Sequence, residues 1–143
     1  MMVTLDASVW LAGLVPDEPA HGPSRDVIRR IVTSEAACAQ PTIFIVEVCA
    51  ATGRRSRDPR LAYEAGRIIR DFPRMSHTAL DAALSAEAAG IATECGLRGA
   101  DAVYVATARR AGSTLVTLDR ELRERAGGVV RVETPDEWLR RPA

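Results

Sequence analysis

Apolar residues recur along this chain in short uninterrupted runs, and the segments between those runs repeat at helical spacing. Residues 2–5 form the first run, a strand that stops at Asp6. Residues 8–12 read as a brief helix, and 16–23, bounded by prolines and holding His21, as a loop. Val27, Ile28, Ile31 and Val32 mark one face of a helix over 24–33. Residues 36–40 are a weak second strand, and Pro41, tolerated at a first helical position, opens a strongly apolar helix to about residue 52. A basic turn over 53–60 leads to a helix over 61–72, ended by Pro73. A short strand over 75–78 follows, then an Ala-rich helix over 79–95 capped by Gly96 and another over 99–111 closed by Gly112. The β-branched runs 114–117 and 129–132 are strands flanking a short polar helix. Thr134, Pro135, Asp136 and Glu137 spell a capping box for a last helix carrying Trp138 and Leu139. Apolar strands alternating with helices specify an α/β fold, a parallel sheet covered on both faces, in one domain spanning 1–143. Sites in such folds gather at the carboxyl ends of strands, near a switch point.

Four carboxylates interrupt the apolar pattern, and each is the only charge in its neighbourhood. Asp6 ends the first run, and no other charge appears before Asp17. Glu47 is the single charge between Glu35 and Arg54, Asp101 the single charge between Arg98 and Arg109, and Asp119 closes the run from Ser113 to Leu118. A carboxylate is rarely buried unless it is paired or binds a metal. With no Lys or Arg in the same segments, a divalent cation is the expected partner, and oxygen ligands around Mg²⁺ or Mn²⁺ are the usual apparatus for cutting phosphodiesters. Taken singly, Asp6 and Asp119 also fit helix caps and Asp101 a favourable place in a helix dipole. Glu47, inside an apolar helix, has neither explanation. Arg98 and Arg120 stand beside these acids in sequence, as ligands of a substrate phosphate, as counter-charges of the cluster or as solvated surface residues.

Composition narrows the function further. The chain has 143 residues and a formal net charge of +0, so no global basic field announces a nucleic-acid partner. Every basic residue is Arg; there is no Lys, which argues against a receiver-type phospho-acceptor domain. Aromatic residues make up 4% of the chain, too few for a stacking-type single-strand binder. Trp10 and Tyr104 read as core or dimer-interface residues. Cys38, Cys49 and Cys95 have no zinc or disulfide spacing and read as reduced thiols. No run is long enough to span a membrane and no leader precedes Asp6, so a cytoplasmic location is expected. Arg54, Arg55, Arg57 and Arg60 form a denser basic patch, for RNA, for a protein partner or for solvent.

Three segments carry a family resemblance: Val3 to Ser8, Leu97 to Ala108, and Leu115 to Leu122, with Glu47 in an apolar helix between the first two. In their order, spacing and placement they resemble PIN-domain proteins, and in particular the VapC-type toxin nucleases of VapBC toxin–antitoxin systems. The resemblance implies a Mg²⁺-dependent endoribonuclease (Mn²⁺ being the alternative ion) on a parallel sheet of about five strands. It implies an RNA substrate, a homodimer and a cognate VapB-type antitoxin as well. Carried over residue by residue, it makes Asp6, Glu47, Asp101 and Asp119 the catalytic, metal-holding acids, with Ser8 and Thr117 as supporting polar residues. Several carboxylates at close range repel, so one or more should have a raised pKa in the absence of metal. The competing readings are a housekeeping PIN nuclease of RNA maturation and a PIN scaffold that binds RNA or a partner without cutting.

Overall fold

In a computed structural model, which describes residues 1–142, the apolar runs at the amino terminus and after Ser113 become neighbouring parallel strands. The element order is β1 (Met2–Leu5), α1 (Ala7–Leu14), α2 (His21–Thr33), β2 (Ala37–Pro41), α3 (Ile43–Ser56), α4 (Pro59–Arg70) and β3 (Met75–Thr78). It continues with α5 (Ala82–Cys95), α6 (Gly99–Ala111), β4 (Thr114–Val116), α7 (Arg120–Ala126), β5 (Val132–Glu133) and α8 (Pro135–Leu139). The five strands lie in the order β3-β2-β1-β4-β5, every pair parallel. The chain winds from β1 outward to β3, then crosses back past β1 to β4 and β5. Right-handed crossovers therefore place α1 to α4 on one face and α5 to α7 on the other. The switch point falls between β1 and β4.

Several boundaries differ from the sequence reading, and four of them have a local reason. Helix α2 starts at His21 instead of 24, where the His21 ring is hydrogen-bonded through Nδ1 to the Ala12 carbonyl at 2.9 Å. Pro41 ends β2 and does not open a helix; the ladder passes beyond it through the Thr42 N–H, which donates to the Thr78 carbonyl at 2.9 Å. The basic turn shrinks to Arg57 and Asp58, because α3 runs on to Ser56. Arg57 adopts the left-handed conformation (φ 54°), and the Asp58 carboxylate caps α4 by accepting from the Arg60 N–H at 2.9 Å. The last strand lies at Val132–Glu133, since the N–H groups of Val129 and Val130 bond back to the Ala126 carbonyl at the end of α7.

Valines and leucines of β1 and β4 form the centre of the core, with Val3, Leu5, Leu115 and Val116 fully buried. On the α1 face, Trp10 meets Phe44 and Phe72 edge-on, with ring centroids 5.7 and 5.0 Å apart. Two buried polar side chains of β1 and β2 are matched between the strands: Thr4 Oγ1 donates to the Ala39 carbonyl at 2.8 Å, and the Gln40 amide, oriented to satisfy both, pairs with the Leu5 N–H and carbonyl at 3.0 and 3.1 Å. Burial pushes the Cys38 thiol up to about 12, which makes it an inert core group. Among the described residues no helix is long and apolar enough to cross a membrane.

Leu5 is the last strand residue before Asp6 and has no exposed surface. Leu5→Ala should cost about 2–5 kcal/mol of unfolding free energy, read by urea denaturation. A loss below about 1 kcal/mol would show that the strand end is not held by core packing.

Candidate active site

Two of the four acids, Asp6 and Asp119, sit just past the carboxyl ends of β1 and β4, and the other two lie near the amino-terminal ends of helices, Glu47 in α3 and Asp101 in α6. Asp6 directly follows β1, and its own N–H donates to the Val116 carbonyl of β4 at 2.9 Å, which pins it at the switch point. Although it stands at the start of α1, its side chain makes no capping hydrogen bond. Instead Asp6 Oδ2 accepts from Ser8 Oγ at 2.6 Å and Thr117 Oγ1 at 2.7 Å. Thr117 is fully buried and Asp6 is 9% exposed. The Thr117 hydroxyl also accepts the Asp119 N–H at 3.0 Å, so one buried side chain ties the two acids of β1 and β4 together.

Glu47 is the fifth residue of α3, little more than one turn into the helix. Its Oε2 accepts from the hydroxyl of Tyr104 at 2.5 Å. Tyr104 is wholly buried in α6, one turn after Asp101. Sequence reasoning placed this residue in the core or a dimer interface and missed its hydroxyl. The signal was its spacing: residues three apart on a helix share a face, so an acid-facing helix at Asp101 also presents position 104.

Asp101 and Asp119 share a partner. Arg98 Nε donates to Asp101 Oδ2 and Arg98 Nη2 to Asp119 Oδ2, each at 2.8 Å. Asp119 Oδ1 meanwhile caps α7 through the Leu122 N–H at 3.0 Å, so its capping and site roles coexist on two oxygens. The expectation that no basic side chain partners these acids is thus corrected for Asp101 and Asp119: Arg98 lies three residues before Asp101 and folds back over it. Arg120, the other neighbour, turns away and pairs with Glu124 at 2.6 Å on the exposed surface of α7. Within the basic patch, Arg55 pairs with Glu18 and Arg60 with Asp58.

The electrostatics follow from this crowding. Burial holds the Glu47 carboxyl above the usual carboxylate range; the Tyr104 hydrogen bond opposes that shift, while the charges of Asp6 and Asp101 add to it. Burial first, and the Glu47 carboxylate second, keep Tyr104 a neutral phenol. Among the described residues no three His, Cys, Asp or Glu side chains converge closely enough to form a ready metal cage. The donor set nonetheless suits a hard divalent cation, being carboxylate oxygen throughout. The Arg98 guanidinium between Asp101 and Asp119 also marks a place where the surroundings favour positive charge.

A raised Glu47 pKa means that the folded chain holds this proton more tightly than the unfolded one. The stabilisation is complete below the unfolded value, about 4.3, and is lost as pH rises through the folded value. Glu47→Gln keeps an acceptor for Tyr104 and removes the charge. Its melting temperature in metal-free buffer should exceed that of the parent chain at pH 7, and the gap should shrink toward pH 4. A constant gap across that range would contradict the assignment.

A PIN-domain family model matches residues 3–128. No curated protein sequence matches significantly. Among solved structures, Mycobacterium tuberculosis VapC20, a sarcin–ricin-loop cleaving toxin, superposes with a TM-score of 0.73 at 21% identity, covering 92% of this chain and 98% of that one. VapBC2 from Rickettsia felis, bound to a DNA fragment from its promoter, gives a TM-score of 0.70 at 14% identity, with 94% and 98% of the two chains covered. A toxin–antitoxin complex from Klebsiella pneumoniae gives 0.67 at 14%, with 93% and 97% covered. These likenesses are likenesses of fold. The family match spans most of the sequence and includes Asp6, Glu47, Asp101 and Asp119, and by it the chain belongs to the PIN domain family.

Proposed function

We propose that this chain is the toxin of a type II toxin–antitoxin system, an endoribonuclease that hydrolyses RNA phosphodiesters with Mg²⁺, or Mn²⁺, held by Asp6, Glu47, Asp101 and Asp119. The observation that carries the reading is the gathering of four acids on a PIN-family fold, Asp6 and Asp119 just past neighbouring strands and Glu47 and Asp101 near the starts of α3 and α6, each with a side-chain partner. The fold shared with VapC20 and with toxin–antitoxin complexes supports the toxin assignment. The protein acts, in this reading, as one catalytic domain over 1–143, in the cytoplasm.

Division of labour among the residues follows from their bonds. Ser8 and Thr117 fix Asp6 Oδ2, which leaves Asp6 Oδ1 as its outward donor. Tyr104 fixes Glu47 Oε2 in the same way and leaves Oε1. Asp119 is held at Oδ1 by the start of α7, so its Oδ2 faces the site. When bound, a divalent ion supplies a water activated as nucleophile and stabilises negative charge on the phosphoryl oxygens. Burial raises the affinity of Glu47 for protons and so makes its charge costly in the absence of a cation.

A VapB-type antitoxin is the partner in this reading. An apolar groove of about 500 Å³ between α1, α3 and α4, lined by Leu11, Leu14, Val15, Leu61 and Ile68, supports it. Leu11 also borders a second hollow, which is lined by Ser8 and Glu47. A homodimer belongs to the same proposal, and Tyr63, 79% exposed on α4, gives it apolar surface.

Purified chain should cut total cellular RNA into discrete fragments with Mg²⁺ or Mn²⁺ and not with EDTA. Asp6→Asn and Asp101→Asn should each lower cleavage at least about a hundredfold while leaving the fold intact. Cleavage that survives EDTA or both substitutions would refute the metal-acid site. RNA binding without cleavage under either metal would favour a scaffold.

A further inference from the structure

Arg98 is unusual for a side chain that is 73% exposed. Long surface cations gain little from single ion pairs and are seldom fixed. Here two different nitrogens of one guanidinium are bonded to two carboxylates that come from separate parts of the chain, Asp101 in α6 and Asp119 after β4. The same cation also acts on Glu47, where it partly offsets the repulsion from Asp6 and Asp101. Arg120, the nearest alternative in sequence, is engaged by Glu124. Arg98 thus relieves charge at three of the four acids, and it uses the Oδ2 atoms of Asp101 and Asp119 to do so.

We propose that Arg98 is a resident counter-cation of the acid site, which a divalent ion must displace. Guanidinium and metal compete for Asp101 Oδ2 and Asp119 Oδ2, so loading the site swings Arg98 outward. The inference rests on the metal-binding reading given above. It has two physical consequences. The acids stay folded against one another without metal, because their charge is partly matched from within. The observed metal affinity is lower than the intrinsic one, by the fraction of molecules in which Arg98 has already left. Its position at the start of α6 lets this happen by side-chain rotation alone, since Arg98 itself has extended backbone angles outside the helix.

Mn²⁺ binding to the full chain, measured by calorimetry, tests the exchange. Arg98→Ala should bind Mn²⁺ about three- to tenfold more tightly than the parent chain, while Arg120→Ala, which removes an equal charge not bonded to the site, should stay within about twofold. A second measurement needs no variant: the Arg98 Nε–H resonance should be protected from solvent exchange in metal-free protein and lose that protection at saturating Mg²⁺. Equal or weaker binding by Arg98→Ala overturns the proposal, as does an equal gain in Arg120→Ala, which would make the effect a general field. An Nε–H that stays protected at saturation also overturns it. If Asp101→Asn abolishes binding in the same series, the metal site stands even when the exchange fails. If no form of the chain binds Mn²⁺, both fail.

Discussion

The sheet brings Asp6, Glu47, Asp101 and Asp119 to one end, and carboxylates brought together repel one another, so the surroundings of the site have to answer that repulsion. They do so in three ways. Asp6, nearly buried, receives two hydroxyl donors from Ser8 and Thr117. Glu47 receives the buried hydroxyl of Tyr104. Asp101 and Asp119 receive a shared guanidinium from Arg98. The first two answers come from hydroxyls of side chains seated in or beside the core, with Thr117 and Tyr104 fully buried. The third is a long side chain at the protein surface, and it is the one a metal can replace without disturbing the core.

This arrangement explains why the switch point between β1 and β4 matters. Neighbouring strands that leave in opposite winding directions open a gap at their carboxyl ends, and the Asp6 N–H bonded to Val116 sets the width of that gap. The Thr117 hydroxyl spans it, donating to Asp6 while accepting from the Asp119 N–H. Core packing of Leu5 and Val116 therefore translates directly into the relative placement of two acids. On the far side, α6 presents Asp101 and Tyr104 on successive turns, so one helix positions one acid and fixes another on α3.

Much of this was legible in the sequence. Uninterrupted apolar runs are the signature of strands buried on both faces, and isolated acids at their ends are conspicuous against that background. The exit of α3 and the entry of α4 were not legible, because Arg57 takes a left-handed turn in which a glycine would be the usual signal. Pro41 was ambiguous because a proline suits a strand end as well as a helix start. The pairing of Arg98 with Asp119 was hidden by a sequence separation of 21, which no local pattern encodes. Tyr104 was hidden differently: a buried aromatic reads as core, and its polar tip becomes informative only when a carboxylate is found opposite it.

The most direct test of a cation site built by these four acids is a crystal of the chain soaked in Mn²⁺, with anomalous scattering collected above and below the manganese edge. The account expects an anomalous peak bounded by Asp6, Glu47, Asp101 and Asp119, with Arg98 withdrawn from Asp101 and Asp119. Manganese bound only elsewhere on the surface, with Arg98 still bridging the two aspartates, would contradict it.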